Sequence, residues 1–292
     1  MDISSSTNFF TGMPGYGDKN DLEKCFRTAK AAGFKAMDIS LMCYCSLGDK
    51  MTVGDHIEWA EKVRADAEKY GIVINQTHGD ALNNLQWDDW DHERQKGFTE
   101  RNICCLEATK ALGAKWMVVH PLNLAHAKIY SAKENKEANL RYLAPLIEHA
   151  KKIGVGIAIE NMVDHRRNKR RYCGGDPYEL LDLVDTINDP AVGICIDTGH
   201  ANQAGLDAAE YIRLVGKRLK ATHIDDNYAD EDSHLLPFFG NVDFIEVGKA
   251  LREIDYRGDF GYELAWPQIP ESAQPAFLKF IHTLAESIIN GK

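Results

Sequence analysis

Short apolar runs alternate with longer amphipathic stretches along the whole chain, and the alternation repeats. Ala36–Ser40, Val73–Thr77, Trp116–His120, Gly156–Glu160, Gly193–Asp197, Lys220–Ile224 and Phe260–Leu264 read as strands, with a further strand expected near Asp2 to Ser6. Runs such as Met117-Val118-Val119 and Ile157-Ala158-Ile159 are apolar at consecutive positions. That is the pattern of parallel strands buried on both faces. The intervening stretches carry apolar residues at helical spacing, as at Ile57, Ala60, Val63 and Ala67. The spacing predicts helices at Asp21–Ala31, His56–Lys69, Glu93–Ala111, Lys133–Lys152, Pro177–Ile187, Ala208–Lys217, Phe244–Ile254 and Ser272–Ile289. Glycine closes the helical pattern at Gly33, Gly71, Gly113 and Gly154, where it adopts a left-handed cap without steric cost, and a strand follows directly. Asp176 before Pro177 marks a capped start with proline in the first turn.

Strands alternating with helices imply an α/β fold around a parallel sheet. A dinucleotide-binding sheet would carry G-x-G-x-x-G after its first strand. The glycines at Gly12, Gly15 and Gly17 miss that spacing, and Pro14 interrupts them. The expectation is a (β/α)8 TIM barrel, a single domain over residues 1–292; the length suits such a barrel, typically about 250 residues.

Composition narrows the class. With 44% hydrophobic and 27% charged residues the chain is globular rather than disordered. No apolar run approaches the roughly 20 residues of a membrane span. The start Met1-Asp2-Ile3-Ser4 lacks the basic and apolar regions of a signal peptide, so a cytoplasmic protein without membrane contact is expected. Seven cysteines, an odd number without paired C-x-x-C spacing, point to small buried hydrophobes in a reducing compartment. A net charge of −10 argues against a nucleic-acid-coating protein. One basic run, Arg166-Arg167-Asn168-Lys169-Arg170-Arg171, follows the fifth strand. It is either a grip for phosphate or carboxylate or a solvated or intersubunit loop.

Chemistry-bearing residues fall at the C-terminal ends of successive strands: His78, His120, Glu160, Asp197 with His200 one turn on, His223 and Glu263. In a barrel those ends open on one face. Three carboxylates and an imidazole suit Mn²⁺, Mg²⁺ or Co²⁺, and Zn²⁺ when more imidazole joins. Without a cation, clustered carboxylates would raise one another's pKa values. One divalent ion is therefore expected, Mn²⁺ or Mg²⁺ ahead of Co²⁺ or Zn²⁺.

Ile159-Glu160-Asn161-Met162, Ile196-Asp197-Thr198-Gly199-His200-Ala201-Asn202, Thr222-His223-Ile224-Asp225-Asp226 and Tyr262-Glu263 resemble the xylose-isomerase-like barrel superfamily, in particular its sugar phosphate isomerase/epimerase branch. The resemblance spans nearly the whole chain and is most specific at Asp197–Asn202. It implies Glu160, Asp197, His223 and Glu263 as metal ligands and His200 as a substrate contact. The superfamily also holds endonuclease IV-like repair enzymes that bind three zinc ions; their extra ligands would fall on His78, His120, His200, Asp232 and His234. The expected activity is a divalent-metal-dependent sugar isomerase or epimerase acting on a ketose or polyol-type substrate. Proton transfer would run through a metal-stabilised enediolate, with Glu160 and Glu263 as acid and base. His78, His120, His200, Asp232 and His234 would bind substrate. The alternatives are a dehydratase of inosose or dehydroshikimate type and a zinc-dependent abasic-site repair enzyme. The branch usually carries P-G-x-G where this chain has Pro237-Phe238-Phe239-Gly240, so two aromatics border the expected pocket; Phe238, Phe239, Trp266 and Trp116 are candidate walls, with the core the preferred place for Trp116. The implied partners are a small sugar or polyol and further copies in a homodimer or homotetramer, with no nucleic acid.

Overall fold

The computed structural model describes residues 1–15, 21–46, 48–81, 87–124, 130–164, 171–266 and 268–291. Strands β1 (Ile3–Ser5), β2 (Ala36–Ser40), β3 (Val73–His78), β4 (Trp116–Val119), β5 (Gly156–Glu160), β6 (Val192–Asp197), β7 (Leu219–His223) and β8 (Phe260–Tyr262) all run parallel to their neighbours. β2 to β7 pair in sequence order and β1 pairs with β8. Both seams are closed. Ser6 bridges Asp38 and Ile224 bridges Tyr262, with the Ile224 amide donating to the Gly261 carbonyl at 2.7 Å. The result is a (β/α)8 barrel.

The helices are α1 (Thr7–Thr11), α2 (Leu22–Ala32), α3 (His56–Lys69), α4 (His92–Leu112), α5 (Ala132–Ile153), α6 (Pro177–Ile187), α7 (Thr198–Gln203), α8 (Ala208–Val215), α9 (Phe244–Glu253) and α10 (Gln274–Asn290). Side chains of Asp21, Asp91, Asp176, Asp207 and Asp243 accept from main-chain N–H groups of the first turns they precede. Each such cap contributes about 1 kcal/mol. Gly33, Gly113 and Gly154 close their helices at φ of 109°, 84° and 74°, as expected. α1 and α7 were not anticipated: each is shorter than two turns, too short for a 3.6-residue pattern. α10 starts at Gln274 after a tighter turn over Glu271–Ala273, so Ser272 lies before it.

Strand parity sorts the interior. Met37, Ile39, Met117, Val119, Ile157, Ile159, Ile194 and Ile196 join the main core. Val118, Ala158, Cys195 and Ala221 form a separate cluster from alternate positions of β4 to β7. Alternate residues of a strand face opposite sides, so this second set lies inside the barrel. Two residues further along the same parity come His120, Glu160, Asp197 and His223. The periodicity that fills the barrel with small side chains thus places the polar ones at its C-terminal end. Trp116 begins β4, and its ring fills the space a Cβ on Gly156 would occupy. It therefore belongs to the opposite end of the barrel and is not a pocket wall. Five of the seven cysteines are buried and none is in a disulfide. Among the described residues no helix is long and apolar enough to cross a membrane.

Candidate metal centre

Each polar side chain at the C-terminal end is positioned by local chain geometry. Asp197 ends β6 and caps α7: its Oδ1 accepts the His200 N–H at 2.6 Å. The Asp-x-x-His spacing is thus an N-cap and its third helical residue, which folds both side chains onto one face. A Cβ on Gly199 would fall 1.9 Å from Asp225 Oδ1, so glycine is needed between them. Asn161, after β5, ties the next strand end in place. Its Oδ1 accepts the Asp197 N–H at 2.7 Å and its Nδ2 donates to the Asp197 carbonyl at 3.0 Å. Glu263 lies one residue beyond β8 rather than within it, held in line by its N–H to Ile224 O at 3.2 Å.

One ligand atom from each of Glu160, Asp197, His223 and Glu263 lies within 4.8 Å of the others. His223 Nδ1 is 2.8 Å from Glu263 Oε2 and 3.3 Å from Glu160 Oε1. Yet His223 Nδ1, Glu160 Oε2 and Asp197 Oδ2 are buried without a hydrogen-bond partner. Buried polar atoms are ordinarily paired. Lone pairs that converge without pairing fit a cation, and three carboxylates with one imidazole are a ligand set for a divalent one.

The remaining candidates surround this group. His78 Nε2 and His120 Nε2 each lie 3.3 Å from Glu160 Oε2 and 3.2 Å from each other. His200 Nε2 and His234 Nε2 each lie 3.3 Å from Asp232 Oδ2. His78, His120, His200, Asp232 and His234 therefore flank the first group on two sides. The Asp232–His234 side includes Asp225, which the sequence reading left without a role. Asp225 is fully buried and neither of its carboxylate oxygens has a partner. The signal was present: Asp225 is two residues from His223 in extended chain and shares its parity.

Electrostatics follow from burial and mutual proximity. Burial pushes the Asp197 acid up to about 6 despite the His200 charge. It drives Asp225 well above the carboxylate range, reinforced by Asp197. For Glu160 burial is outweighed by the charges of His223 and His120, which hold it well below that range. Glu263 falls to about 2 because His223 outweighs its burial. Burial disfavours charge on His200 and His223. Asp197 nevertheless raises His200 well above the usual imidazole value, and Cys195, Glu263 and Glu160 do the same for His223. Burial lowers His120.

Of the basic run 166–171, residues 166–170 lie outside the described residues. Arg171 is bound by acids, 2.8 Å from Glu179 and 3.4 Å from Asp176. Phe238 and Phe239 are exposed, and Phe238 takes φ +71°, a left-handed conformation that suits the glycine expected there. Trp266 packs on Phe9 beside the Glu263 end of the barrel, its ring N–H unpartnered.

Residues 26–282 match the family model for the xylose isomerase-like TIM barrel. The chain belongs to that family. It is 34% identical over 160 residues to the uncharacterized protein MJ1311 of Methanocaldococcus jannaschii, covering 54% of this chain and 53% of that protein. It is 26% identical over 243 residues to D-psicose 3-epimerase of Enterocloster bolteae, covering 82% of this chain and 75% of that one. The matches also include inosose isomerase of Bacillus subtilis and probable endonuclease 4 of Geobacillus kaustophilus. The chain spans little more than half the length of the first curated relatives it matches. The crystal structure of a D-tagatose 3-epimerase-like protein superposes with a TM-score of 0.75 at 24% identity, over 99% of this chain and 98% of that one. At that identity the likeness is one of fold.

Proposed function

We propose that this barrel is a divalent-metal-dependent sugar isomerase or epimerase that moves a proton beside the carbonyl of a ketose or polyol-type substrate. The observation that carries the reading is the convergence of ligand atoms from Glu160, Asp197, His223 and Glu263, those of the first three buried without a hydrogen-bond partner, at the open end of a barrel whose relatives include sugar epimerases. These four residues would hold the ion. When bound, it would supply positive charge that polarises a carbonyl and offsets negative charge developing on substrate oxygens. The two glutamates are not equivalent. Glu160 is 1% exposed and walled by His78 and His120, whereas Glu263 is 23% exposed. Glu263 is therefore assigned as the base that meets substrate. It is ionised at neutral pH, as a base must be. Glu160 returns the proton if the product is an epimer; if Glu263 returns it on the same face, the product is an isomer. His200, oriented by its Nδ1 on the Asn161 carbonyl at 2.9 Å, is assigned to a substrate oxygen.

The test is a screen of ketoses, aldoses and inososes with Mn²⁺ or Mg²⁺, followed by exchange of the carbon-bound proton with deuterated water. Glu263→Gln should abolish exchange in a substrate the native protein turns over, and Glu160→Gln should abolish formation of an epimer. Full exchange in Glu263→Gln would refute the proton-transfer assignment, and an unsaturated product would move the reaction to dehydration.

A second reading has its own observation: the imidazoles at His78 and His120, and the Asp225, Asp232 and His234 group, provide ligands for cations beyond one. Several zinc ions there would suit phosphodiester hydrolysis at an abasic site. Metal analysis separates the readings, at about one ion per chain for the first and about three zincs for the second. Nicking of an abasic oligonucleotide by the zinc-loaded protein would decide for the second.

A further inference from the structure

The histidines at this end of the barrel are mostly locked from behind. His78 Nδ1 meets the Gly79 carbonyl at 2.9 Å, His200 Nδ1 the Asn161 carbonyl at 2.9 Å and His234 Nδ1 the Glu263 carbonyl at 2.9 Å. A carbonyl only accepts, so each Nδ1 carries the proton and each Nε2 lone pair is free to face the cluster. His223 is reversed. Its Nδ1 faces Glu160 and Glu263, so its proton must sit on Nε2 for the Nδ1 lone pair to be available. Among the described residues no main-chain carbonyl is paired with His223 Nε2. The carboxylate facing it is that of Asp38, with Oδ2 3.6 Å away, and the Cys195 thiol also lies against the ring.

Asp38 is an unusual occupant of its place. It is the charged residue of β2, nearly fully buried, on the barrel floor beneath the metal centre. Gln76 Nε2 donates to its Oδ2 at 2.8 Å and to the Thr222 carbonyl at 3.3 Å, which fixes the carboxylate from below. Its Oδ1 has no partner among the described residues. The oxygen nearest His223 is Oδ2, which accepts from Gln76 and keeps a second lone pair for a nearby N–H donor. The second ring nitrogen of a ligating histidine is ordinarily held by a carboxylate or a carbonyl.

We propose that Asp38 is the positioning residue for His223: from behind the ring it selects the Nε2–H tautomer and so turns the Nδ1 lone pair toward Glu160 and Glu263. The proposal rests on the metal-centre reading above. Asp38 does for His223 what main-chain carbonyls do for the rings of His78, His200 and His234. Either oxygen of its carboxylate can only accept, whereas an Asn in its place can turn an N–H toward Nε2 and favour the opposite tautomer.

The test combines two measurements on the full chain. The first is the long-range ¹H–¹⁵N spectrum of the ¹⁵N-histidine-labelled, metal-free protein, recorded at a pH that leaves the rings neutral, with His223 assigned through His223→Gln. The second is a Co²⁺ titration of native protein, Asp38→Asn and Asp38→Ala. The native His223 ring should show the Nε2–H pattern. Both variants should move toward Nδ1–H and bind Co²⁺ about 10–100-fold more weakly. A native Nδ1–H pattern overturns the proposal, as do variants that retain both the native tautomer and the native affinity. Should neither variant fold, the native spectrum decides alone. If the native protein takes up no Co²⁺, Mn²⁺ or Zn²⁺, the metal-centre reading fails, while the tautomer still decides the role of Asp38.

Discussion

Asn161→Ala tests how the centre is built. The Asn161 amide is fully buried and bridges two strand ends, accepting from the Asp197 N–H at 2.7 Å and donating to the Asp197 carbonyl at 3.0 Å. Alanine removes both bonds and admits no water in compensation at a fully buried site. A buried main-chain group left unpaired costs about 1–3 kcal/mol. The Asp197 N–H bears that cost in full, and the carbonyl, at the head of α7, bears a smaller share. The expected loss is about 3 kcal/mol. A chain of 292 residues has an unfolding entropy of about 0.6 kcal/mol per kelvin. The midpoint of metal-free protein should therefore fall by about 5 °C, with a matching shift in urea. Asn161→Asp should not recover the loss, because the carboxylate that accepts the N–H is buried beside Glu160 and Asp197 and opposes the carbonyl. Asn161 offers no ligand atom to the four-residue group, yet the alanine variant should also bind cations more weakly, because Glu160 and Asp197 lose their tether. A loss below about 1 kcal/mol with unchanged cation affinity would refute the argument that this amide sets the spacing of the two carboxylates.

Three further outcomes follow from the same structure. Asp259 is 4% exposed, and burial pushes its acid from 3.8 up to about 7 despite the Asn75 hydrogen bond. Because the folded state holds its proton more tightly, stability falls as pH rises from about 4 to about 7. Asp259→Asn should therefore gain more at pH 8 than at pH 5, by about 3 kcal/mol or about 5 °C, and an equal gain at both pH values contradicts the assignment. Cation uptake should strengthen as pH rises, because the proton held on His223 must leave before Nδ1 can ligate. Calorimetry in two buffers of different ionisation enthalpy measures that release, and an affinity flat between pH 6 and 8 would count against it. Stripping the protein with a chelator and restoring Mn²⁺ at 100 times its dissociation constant should raise the midpoint by about 4–5 °C, from about 2.7 kcal/mol of linkage. The rise should vanish in His223→Gln.

How far the sequence carried the fold and the centre depends on the range over which each feature is encoded. Strands such as β2 and β5 and helices such as α3 and α6 were legible to the residue, because an apolar run or a 3.6-residue stripe between Gly or Asp punctuation is local. α7 was not, because its six residues are too few for a helical stripe; the Asp197–His200 spacing showed as a motif rather than as a helix. Strand-end polarity located Glu160, Asp197 and His223, since parity within each strand is fixed by chain geometry. What sequence could not supply is relative depth. Glu160 and Glu263 look alike in the chain, yet one is enclosed by imidazoles and the other opens to solvent. Asp38 shows the same limit from the other side. In the sequence it is a lone acid in an apolar run, 185 positions from His223, and nothing local connects them. Barrel closure brings them together, because only β8 and β1 separate β7 from β2 around the closed ring, and the interior there is lined by small side chains and Gln76. The residues that would ligate lie at the ends of strands and are legible; a residue that would orient them lies one layer below and emerges only when the barrel is closed.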